Sequence, residues 1–591
     1  MQLRLHSYGW LIGVLVVAAF AMLFRLGDRP VENWDEGIHG AVSIDMVERG
    51  DWVTPWYAGG TYFRKPPLKL WMSAGLFEAF GINAWTLRLP SALAGIATAL
   101  LVAWWMWQWR RSRWEAFLAG VIVATMRPIF FHAFRTGEMD GLLTLFTTGA
   151  LYCWWRATTD IALAEHEIRN QKPEFRTSNF GIDSPFGFRH SSFRWLLLTG
   201  AAIGLAVMTK SAAGILPIPI IVMHAFLTGS WRRIRVRDVI VLVLVSVLVA
   251  APWHLAMTVI HGMTFWNDYV GWHVVKRATE VLHNETAGVW WWYLPTFARR
   301  FTPYTYWFVP ALLYSILGVL HALRQRGKST LNHSPLVIPH SSFSTQTLLL
   351  IWFFLGFIGF TAARTKFDWY LLPMYPAAIM LTVRFLTSAR DAIANRWIAA
   401  LHLIAIAAFT LTLPAMFPTG TITDRIIEQW YALFGHPIIL AAIVTIAIAG
   451  IITATSRRWG VMVTSRLAYV IVMVLVLVPG LTVTARHLRA REPEGPFPAI
   501  AATVRGSNGT LVSYGLDYKQ SPAGYFILRS TLRDDVRVLD GRTDSARAAA
   551  MLRERDRGFL LTKRETELPE ELRHVVDDPR TFGDFTVWER R

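Results

Sequence analysis

Long apolar runs separated by short basic breaks limit what this chain can fold into. A helix needs about 20 mostly apolar residues to cross a bilayer, and the 591-residue sequence has a first such run from Trp10 to Phe24. Further runs begin near Ser91, Ala116, Gly141, Trp195, Ala212, Val239, Pro303, Leu348, Tyr370, Ile398, Pro437 and Val461. The sequence therefore predicts a mainly α-helical, polytopic membrane protein with about thirteen transmembrane helices.

Composition supports a membrane location. Charged residues make up 17% of the chain and hydrophobic residues 53%, whereas soluble domains have about 25% charged residues. The 28 tryptophans suit the boundaries of a bilayer, where amphipathic rings are favoured. The single cysteine, Cys153, excludes a disulfide within the chain and a zinc cluster built on cysteines.

The net charge of +18 reflects topology, and we expect no nucleic-acid partner. Basic residues cluster in the breaks between apolar runs, as in "RRSR" from Arg110, "WRRIRVR" from Trp231 and "SRRW" from Ser456. Lys and Arg are retained on the cytoplasmic side of a membrane, so these breaks are predicted to be cytoplasmic. The outer side then receives residues 27–90, residues 260–302 and the C-terminal tail.

This topology divides the chain into two predicted domains. Residues 1–490 form the membrane domain, with long outer loops at 27–90 and 260–302, and residues 491–591 form a small α/β domain outside the cytoplasm. In the tail, "TLVSYG", "VRVL", "GFLLTK" and "FTVWER" are typical of strands, and "SARAAAMLRER" is typical of a helix. The first loop is predicted to be structured, because "AVSIDMVERG" and "LKLWMSAGLFEAFG" have the spacing of helices lying in the membrane interface.

Carboxylates lie at two membrane edges on the outer side. Asp35 and Glu36 are adjacent in "NWDEGIHG", just after the first apolar run, and Asp140 in "FRTGEMDGLL" follows the third. An ionisable residue at a membrane-embedded turn is costly unless it lines a wet cavity, which indicates function. The alternative for Asp140 is that it caps the following helix.

Cations also occur on the outer side, against the usual charge bias. In "FRKPP", Pro66 and Pro67 hold Lys65 in an extended and rigid segment, although a lysine here could equally extend to lipid headgroups. The second long loop and the turn "RTKFDWYLLP" add further Lys and Arg residues. Cations in these places indicate an anionic ligand, such as a lipid phosphate.

Nucleotide-binding motifs are absent from the sequence, since it has neither a Walker A run nor a Gly-rich strand-to-helix fingerprint. A donor other than a nucleotide bound in those ways is therefore expected for any group transfer. Three outer histidines, His261, His273 and His283, match no closed zinc motif. A divalent metal is allowed by the sequence without being required, and no ligand set is assigned to it.

Several of these motifs together resemble a known family. The carboxylate pair, "RGDWVTPWYAGGTYFRKPPLKLW", the second Asp and "TKFDWYLLPMYPA" are similar to the aminoarabinose transferase and protein O-mannosyltransferase superfamily. These are GT-C glycosyltransferases of bacterial inner membranes, and the similarity extends to about Pro376. It implies the GT-C fold and transfer of a sugar from a polyprenyl-phosphate donor to lipid A, a protein or another envelope glycan. It also implies a periplasmic site and an inverting single displacement, with no cofactor required.

The resemblance also implies roles for individual residues. The catalytic loop carboxylate corresponds to Asp35, with Glu36 beside it, and the second acid corresponds to Asp140; we choose Asp35 as the base. The residues that correspond to a donor phosphate site are Lys65, Tyr62, Arg277, Lys366 and Tyr370. Aminoarabinose transferases usually carry Glu before this lysine, where this chain has Arg64, so the sugar and the acceptor are left open.

A secondary transporter of an anionic or lipid-linked substrate is the alternative function. Transporter sites lie near the bilayer midplane, whereas most candidate polar residues here fall at the ends of apolar runs or in outer loops. Arg127 is the nearest exception. A non-catalytic assembly or sensor protein is a third hypothesis, and it predicts that Asp35 and Lys65 tolerate substitution.

Overall fold

Helices account for most of the described chain. The structure, a computed structural model, describes residues 2–126, 133–170, 190–276, 279–280, 289–302, 304–329, 340–388, a few residues between 397 and 408, 496–516, 522–532, 537–540 and 544–591. The helices up to residue 388 are α1 (Gln2–Leu23), α2 (Asp35–Arg49), α3 (Leu68–Phe80), α4 (Ala84–Arg110), α5 (Arg113–Thr125), α6 (Asp140–Asn170), α7 (His190–Lys210), α8 (Pro217–Thr228), α9 (Val236–Trp266), α10 (Tyr293–Arg300), α11 (Thr305–Ser329), α12 (His340–Ala362) and α13 (Tyr375–Thr387).

The predicted membrane architecture is confirmed in outline. Within the described residues, 6 helical segments are long and apolar enough to cross a membrane, judged by length and composition. These segments are Ala84–Arg110, Ser192–Ile215, Val236–Lys276, Thr305–Arg324, Ser342–Ala362 and Asp368–Thr387. The runs predicted from Pro437 and Val461 lie outside the described residues, and the run from Ile398 is described only in part. The total of about thirteen spans therefore stays a prediction.

Local side chains determine where α4 begins and where the chain turns from α4 into α5. Asn83 caps α4, because its side chain accepts a hydrogen bond from the Thr86 N–H at 3.0 Å. Arg111 closes the same helix in the left-handed region, with φ of 55°. Ser112 then caps α5 by accepting the Glu115 N–H at 3.3 Å. The chain therefore reverses within two residues between α4 and α5.

Three fully buried tryptophans join helices α4, α6 and α12. The Trp105 ring centroid lies 5.7 Å from that of Trp155 and 6.1 Å from that of Trp352. Trp155 also donates its indole N–H to the Thr345 hydroxyl at 2.8 Å. Large aromatic side chains dominate core packing when buried, so this cluster fixes the positions of three helices relative to one another.

The first outer loop folds as predicted into a helical layer, but its location differs from the prediction. It contains α2, a short antiparallel hairpin of β1 (Trp56–Tyr57) and β2 (Gly60–Thr61), and α3. Helix α2 begins at Asp35, ahead of the predicted segment, and most of its residues from Glu36 to Met46 are buried. The sequence predicted that α2 lies in the membrane interface. In the structure a helix of the C-terminal tail packs on α2 and covers it.

Two arginines fasten the start of this loop to the membrane helices. Arg135 donates to the carbonyls of Ala21 and Phe24 at 2.8 Å each, and so satisfies carbonyl groups left unpaired at the end of α1. Arg88, in the first turn of α4, donates to the carbonyl of Arg29 at 2.8 Å and to that of Pro30 at 2.9 Å. The segment between α1 and α2 is therefore held by two buried cations, one from α4 and one from the bend that precedes α6.

The tail forms a five-stranded mixed sheet within its described residues. Its elements are α14 (Phe497–Val504), β3 (Thr510–Ser513), α15 (Pro522–Leu532), β4 (Arg537–Asp540), α16 (Ser545–Leu552), β5 (Gly558–Lys563), α17 (Glu570–Arg573), β6 (Val576–Phe582) and β7 (Phe585–Arg590). The strand order is β4-β3-β5-β7-β6, with β3 parallel to both neighbours and β7 antiparallel to both of its own. The four predicted strands and the predicted helix are present. Strand β6 was not predicted, because its residues are mostly exposed and lack an apolar alternation.

Candidate active site

The two adjacent carboxylates of α2 have different surroundings. Glu36 is fully buried and accepts hydrogen bonds from Arg88 at 2.7 and 3.0 Å and from the N–H groups of Glu32 and Gly137, each at 2.7 Å. Burial alone would raise the pKa of Glu36, but Arg88 and these N–H groups outweigh burial and hold the pKa below its ordinary value. Four hydrogen bonds use the accepting capacity of both oxygens. The predicted catalytic role of Glu36 is therefore not supported by its geometry, which is that of a structural anion.

Asp35, the first residue of α2, lies half-buried in a cluster with His39 and Glu138. One ligand-type atom from each of the three lies within 4.8 Å of the other two. The His39 Nδ1 lies 3.1 Å from the Gly137 carbonyl oxygen, and because a carbonyl only accepts, Nδ1 carries the proton. Burial lowers the pKa of His39 to about 4 against the opposing charge of Asp35. The imidazole is therefore neutral at physiological pH, with its lone pair on Nε2.

Glu138 is the most buried carboxyl of this cluster. Burial raises its pKa well above the ordinary value, and the negative charges of Asp35 and Asp140 raise it further. Two carboxyl groups this close do not readily ionise together, and the more buried one keeps the proton. Glu138 therefore keeps its proton to a higher pH than an ordinary glutamate does.

Asp140 forms an ion pair across two helices. It begins α6, and both of its oxygens accept hydrogen bonds from the Lys210 ammonium at the end of α7, at 2.7 and 2.8 Å. The same ammonium lies 5.5 Å from the centroid of the Tyr370 ring, within reach of a cation–π contact. The structure thus brings the predicted residues Asp140 and Tyr370 together through Lys210. This arrangement favours the functional interpretation of Asp140 over a simple helix cap.

Lys65 is buried, with 8% of its surface exposed, and the two prolines that follow it are buried as well. Its positive charge lowers the pKa of His39, whereas the charge of Asp35 raises it. The charges of Asp35 and Lys65 therefore both act on the His39 imidazole. A buried lysine in this position does not fit the alternative in which Lys65 extends to lipid headgroups. Tyr62 lies nearby in the sequence and is buried in an apolar cluster that also contains Met139.

Lys69 is a second buried lysine of this loop. It lies in the first turn of α3 and donates to the Leu87 carbonyl at 3.0 Å. Burial lowers its pKa to about 7, although the charge of Glu36 opposes the change. The group is therefore partly neutral near physiological pH, which limits its use as a fixed cation.

The remaining predicted phosphate contacts lie elsewhere or are not described. The Lys366 ammonium donates to the carbonyls of Thr361 and Ala363 at 2.7 and 2.6 Å, at the end of α12, and lies 5.6 Å from the Tyr293 ring centroid. Burial lowers the pKa of Lys366. These hydrogen bonds do not support a phosphate contact by Lys366. Arg277 lies outside the described residues.

Comparisons with known proteins add evidence from outside the chain. The family described as dolichyl-phosphate-mannose-protein mannosyltransferase matches residues 13–269. An undecaprenyl phosphate-alpha-4-amino-4-deoxy-L-arabinose arabinosyl transferase from Aeromonas salmonicida is 28% identical over 363 residues, which cover 61% of this chain and 56% of that protein. A protein of the same name from Pectobacterium carotovorum is 23% identical over 537 residues, which cover 85% of this chain and 86% of that protein.

A solved structure agrees on the fold. ArnT from Cupriavidus metallidurans, in a crystal structure with undecaprenyl phosphate bound, matches with a TM-score of 0.62 at 19% identity, covering 99% of this chain and 98% of that chain. The chain is therefore similar in fold to ArnT. In sequence it is similar to the aminoarabinose transferases and to the protein mannosyltransferase family. The chain spans just over half the length of the first curated relatives that it matches.

One side chain departs from the aminoarabinose transferase pattern and contacts the second long loop from the first. Arg64 precedes Lys65 where those transferases usually carry Glu. Its guanidinium lies 5.6 Å from the ring centroid of Trp272, which belongs to the π-helical stretch Asn267–Lys276 of the second loop. A cation at this position contacts an aromatic face, so the chemistry of a carboxylate is not available there.

The expected outer histidines do not form a metal site within the described residues. The His261 Nε2 lies 2.9 Å from the Thr54 hydroxyl, the His273 Nε2 lies 3.9 Å from an Asp268 oxygen, and His283 is outside the described residues. The described group with suitable ligand atoms is instead Asp35, His39 and Glu138.

Sequence reasoning missed three residues of the candidate site. His39 follows Asp35 by one helical turn, and this i, i+4 spacing was the available signal. Glu138 lies two residues before Asp140, and this closeness was the available signal. No local pattern connects Lys210 with Asp140, from which it is separated by 70 residues.

Proposed function

We propose that this protein is a glycosyltransferase that uses a polyprenyl-phosphate-linked sugar as donor. It transfers the sugar to lipid A, a protein or another envelope glycan at the periplasmic face of the bacterial inner membrane. The observation that carries the proposal is the cluster of Asp35, His39 and Glu138, whose ligand-type atoms lie within 4.8 Å of one another. The buried Lys65 lies beside it and acts on the same His39 ring. A base and a phosphate-binding cation are the two groups that this reaction requires.

Asp35 acts as the base in a single displacement. The acceptor oxygen attacks the anomeric carbon while its proton passes to Asp35, and the bond from the anomeric carbon to the phosphate oxygen breaks. The electron pair of that bond leaves with the polyprenyl phosphate, and attack from the opposite face inverts the configuration. A positioned base contributes about 10²- to 10⁴-fold to the rate of such a step.

Lys65 stabilises the negative charge that grows on the departing phosphate. Its burial strengthens the effect, because a charge acts more strongly where water is excluded. Tyr370, beside Lys210, and Tyr62 are proposed to support the donor. Arg277 and Lys366 remain phosphate contacts implied by the resemblance alone, and Lys366 would have to exchange two carbonyl partners to make one.

Asp140 has a different part from Asp35, because its two oxygens already accept from Lys210. We assign it to orienting the acceptor and holding Lys210 in place. Its charge also helps to raise the pKa of Glu138.

A divalent metal at the Asp35, His39 and Glu138 cluster is a secondary proposal. The His39 Nδ1 faces the Gly137 carbonyl, an arrangement that commonly orients a metal-binding histidine through its other nitrogen. Carboxylate and imidazole donors suit several divalent cations. The residues therefore fit such an ion, although the displacement described above does not require one.

Release of polyprenyl phosphate from a panel of undecaprenyl-phosphate sugars tests the function. The purified protein would be reconstituted in lipid nanodiscs with lipid A or envelope extracts as acceptor. Asp35→Asn should lower turnover by about 10³-fold or more, without changing the thermal unfolding midpoint. Glu78→Gln, an exposed acid of α3, is the matched control and should retain activity.

The same assay separates the competing hypotheses. Near-normal turnover of Asp35→Asn would remove the base assignment, and failure of the wild-type protein to release lipid phosphate from any donor would remove the transferase function. Lys65→Ala should raise the KM for donor lipid more than it lowers kcat. A transporter would move its substrate across the bilayer and release no polyprenyl phosphate.

A further inference from the structure

Helix α15 of the tail packs on α2 at two glycines. A Cβ atom at Gly37 would lie 2.6 Å from the backbone nitrogen of Ala523, and one at Gly40 would lie 2.5 Å from the Phe526 ring. Real Cβ atoms do not approach this closely, so only glycine permits the observed contact. The first of these glycines is two residues from Asp35, so α15 contacts the helical turn that carries the proposed base.

A polar contact fixes α15 at the same end of α2. The Asn33 side chain accepts a hydrogen bond from the Ala523 N–H at 3.2 Å. The acceptor therefore satisfies a backbone donor in the first turn of α15, where such donors lack partners within the helix. Asn33 also lies two residues from Asp35, on the other side of it from Gly37.

A buried arginine fixes the far end of the contact. Arg529 donates to the Asp45 carboxylate at 2.8 Å and to the Tyr525 hydroxyl at 2.9 Å, and it also pairs with Glu48. Arg529 is 5% exposed and Asp45 4%. A buried cation without its partner is costly, so this arrangement specifies one position of α15 along α2.

We propose that α15 is a positioning element of the active site, with Arg529 as its positioning residue. The tail helix holds α2 by its N-terminal turn and by its later half, and so fixes where Asp35 and His39 lie relative to Lys65 and Glu138. The inference rests on the proposed function for its kinetic consequence, but the docking itself stands on the contacts above. Shifts of about 1 Å in catalytic groups can cost about 10²-fold in rate.

Gly37→Ala is the direct test, because alanine is the better helix former and adds only a wedge against the Ala523 backbone. We expect kcat to fall by about ten-fold or more while the KM for donor lipid changes by less than about three-fold. We also expect faster hydrogen exchange of the α2 amides. Gly75→Ala in α3 is the matched control, because its added Cβ would meet no atom within 4 Å, and it should leave all three quantities unchanged.

Two further variants identify the contact as the cause. Gly40→Ala should lower kcat, and Phe526→Leu in the same chain should restore part of it, because the obstructing atoms at this position belong to a side chain. Arg529→Gln should lower kcat and speed α2 exchange, and Arg529→Lys should recover part of both. The proposal is overturned if Gly37→Ala and Arg529→Gln both keep turnover and α2 hydrogen exchange within about two-fold of the wild type.

Failure of the positioning role and failure of the transferase function give different results. If the wild-type protein transfers no sugar, the kinetic arm has no signal, but hydrogen exchange of α2 still reports whether the wedge loosens the contact. Unchanged hydrogen exchange of α2 in both Gly37→Ala and Arg529→Gln would overturn the docking role even in an active enzyme. A fall in activity without any change in exchange would overturn it as well.

Discussion

Two buried ion pairs flank the proposed base, and they are built differently. In the first, Arg88 holds Glu36 at 2.7 Å and also donates to three carbonyls of the segment before α2. In the second, Lys210 holds Asp140 at 2.7 and 2.8 Å, and its other near neighbours include the Tyr370 ring and Glu138. The first pair is saturated with protein partners, whereas the second is bordered by side chains that carry function in the proposal.

The difference explains how similar pairs acquire separate roles. An arginine offers five N–H donors, and protein acceptors surround those of Arg88. A lysine has three, and two of those of Lys210 point to Asp140, with no third acceptor for it in the described part of the chain. We therefore assign the Arg88 pair to holding the fold and the Lys210 pair to contacting the substrate.

Breaking the saturated pair should have the largest effect. Arg88→Met leaves Glu36 buried without its partner, which should destabilise the fold by about 3–5 kcal/mol. Thermal unfolding followed by size-exclusion chromatography would show a lower midpoint and a smaller folded fraction. Glu36→Gln combined with Arg88→Met should recover part of the loss. A wild-type midpoint in Arg88→Met would contradict the structural role.

Breaking the Lys210 pair should affect turnover more than folding. Asp140→Asn keeps the shape and removes the charge, and we expect kcat to fall by about 10²-fold with a small change in the unfolding midpoint. Glu115→Gln is a suitable control, because Glu115 pairs with Arg110 at 3.0 Å at the far end of α4. Parallel losses of stability and activity in Asp140→Asn would make this pair structural too.

The pH dependence of the unfolding midpoint tests the role of Glu138 between the two pairs. Burial and two neighbouring carboxylates raise its pKa in the folded state, so the stability gained from its bound proton is present at low pH and is lost as pH rises through that value. Glu138→Gln stays neutral at every pH. Its unfolding midpoint should therefore fall less than that of the wild type as pH rises from the ordinary glutamate pKa of 4.5 through the raised folded-state pKa. Equal falls in both proteins would show that folding does not raise the pKa of Glu138.

Metal binding should give the smallest effect. If the cluster binds a divalent cation, millimolar Mn²⁺ or Mg²⁺ should raise the unfolding midpoint of the wild type by a few degrees, since a ligand that binds only the folded state stabilises it. His39→Phe should lose this shift, and His261→Phe should keep it. A shift of equal size in both variants would exclude His39 as a ligand.

Much of the architecture was predictable because it follows local patterns. The apolar runs predicted membrane helices, the spacing of the first loop predicted α2 and α3, and the apolar strands of the tail predicted most of its sheet. The rigid segment before α3 also predicted a fixed cation, and Lys65 is buried there. Each of these features depends on residues that are close in sequence.

The pairings that define the candidate site were not predictable in this way. Glu36 and Asp35 are neighbours in sequence, but Arg88 reaches only Glu36, across 52 residues. Lys366 is a second example, since a cation predicted to contact a phosphate donates in the structure to the carbonyls of Thr361 and Ala363 at the end of the preceding helix. The partner of a charged side chain depends on tertiary packing, which one sequence without its relatives does not reveal.

The contact between Asp45 and Arg529 joins positions 484 residues apart. During synthesis the loop that carries Asp45 is made long before the tail helix, and domains fold broadly in the order in which they emerge. Insertion of the membrane helices and completion of the proposed active site are therefore separate events in the life of the chain. A product terminated before α15 would occupy the bilayer but, under the positioning proposal, would lack the contact that aligns Asp35.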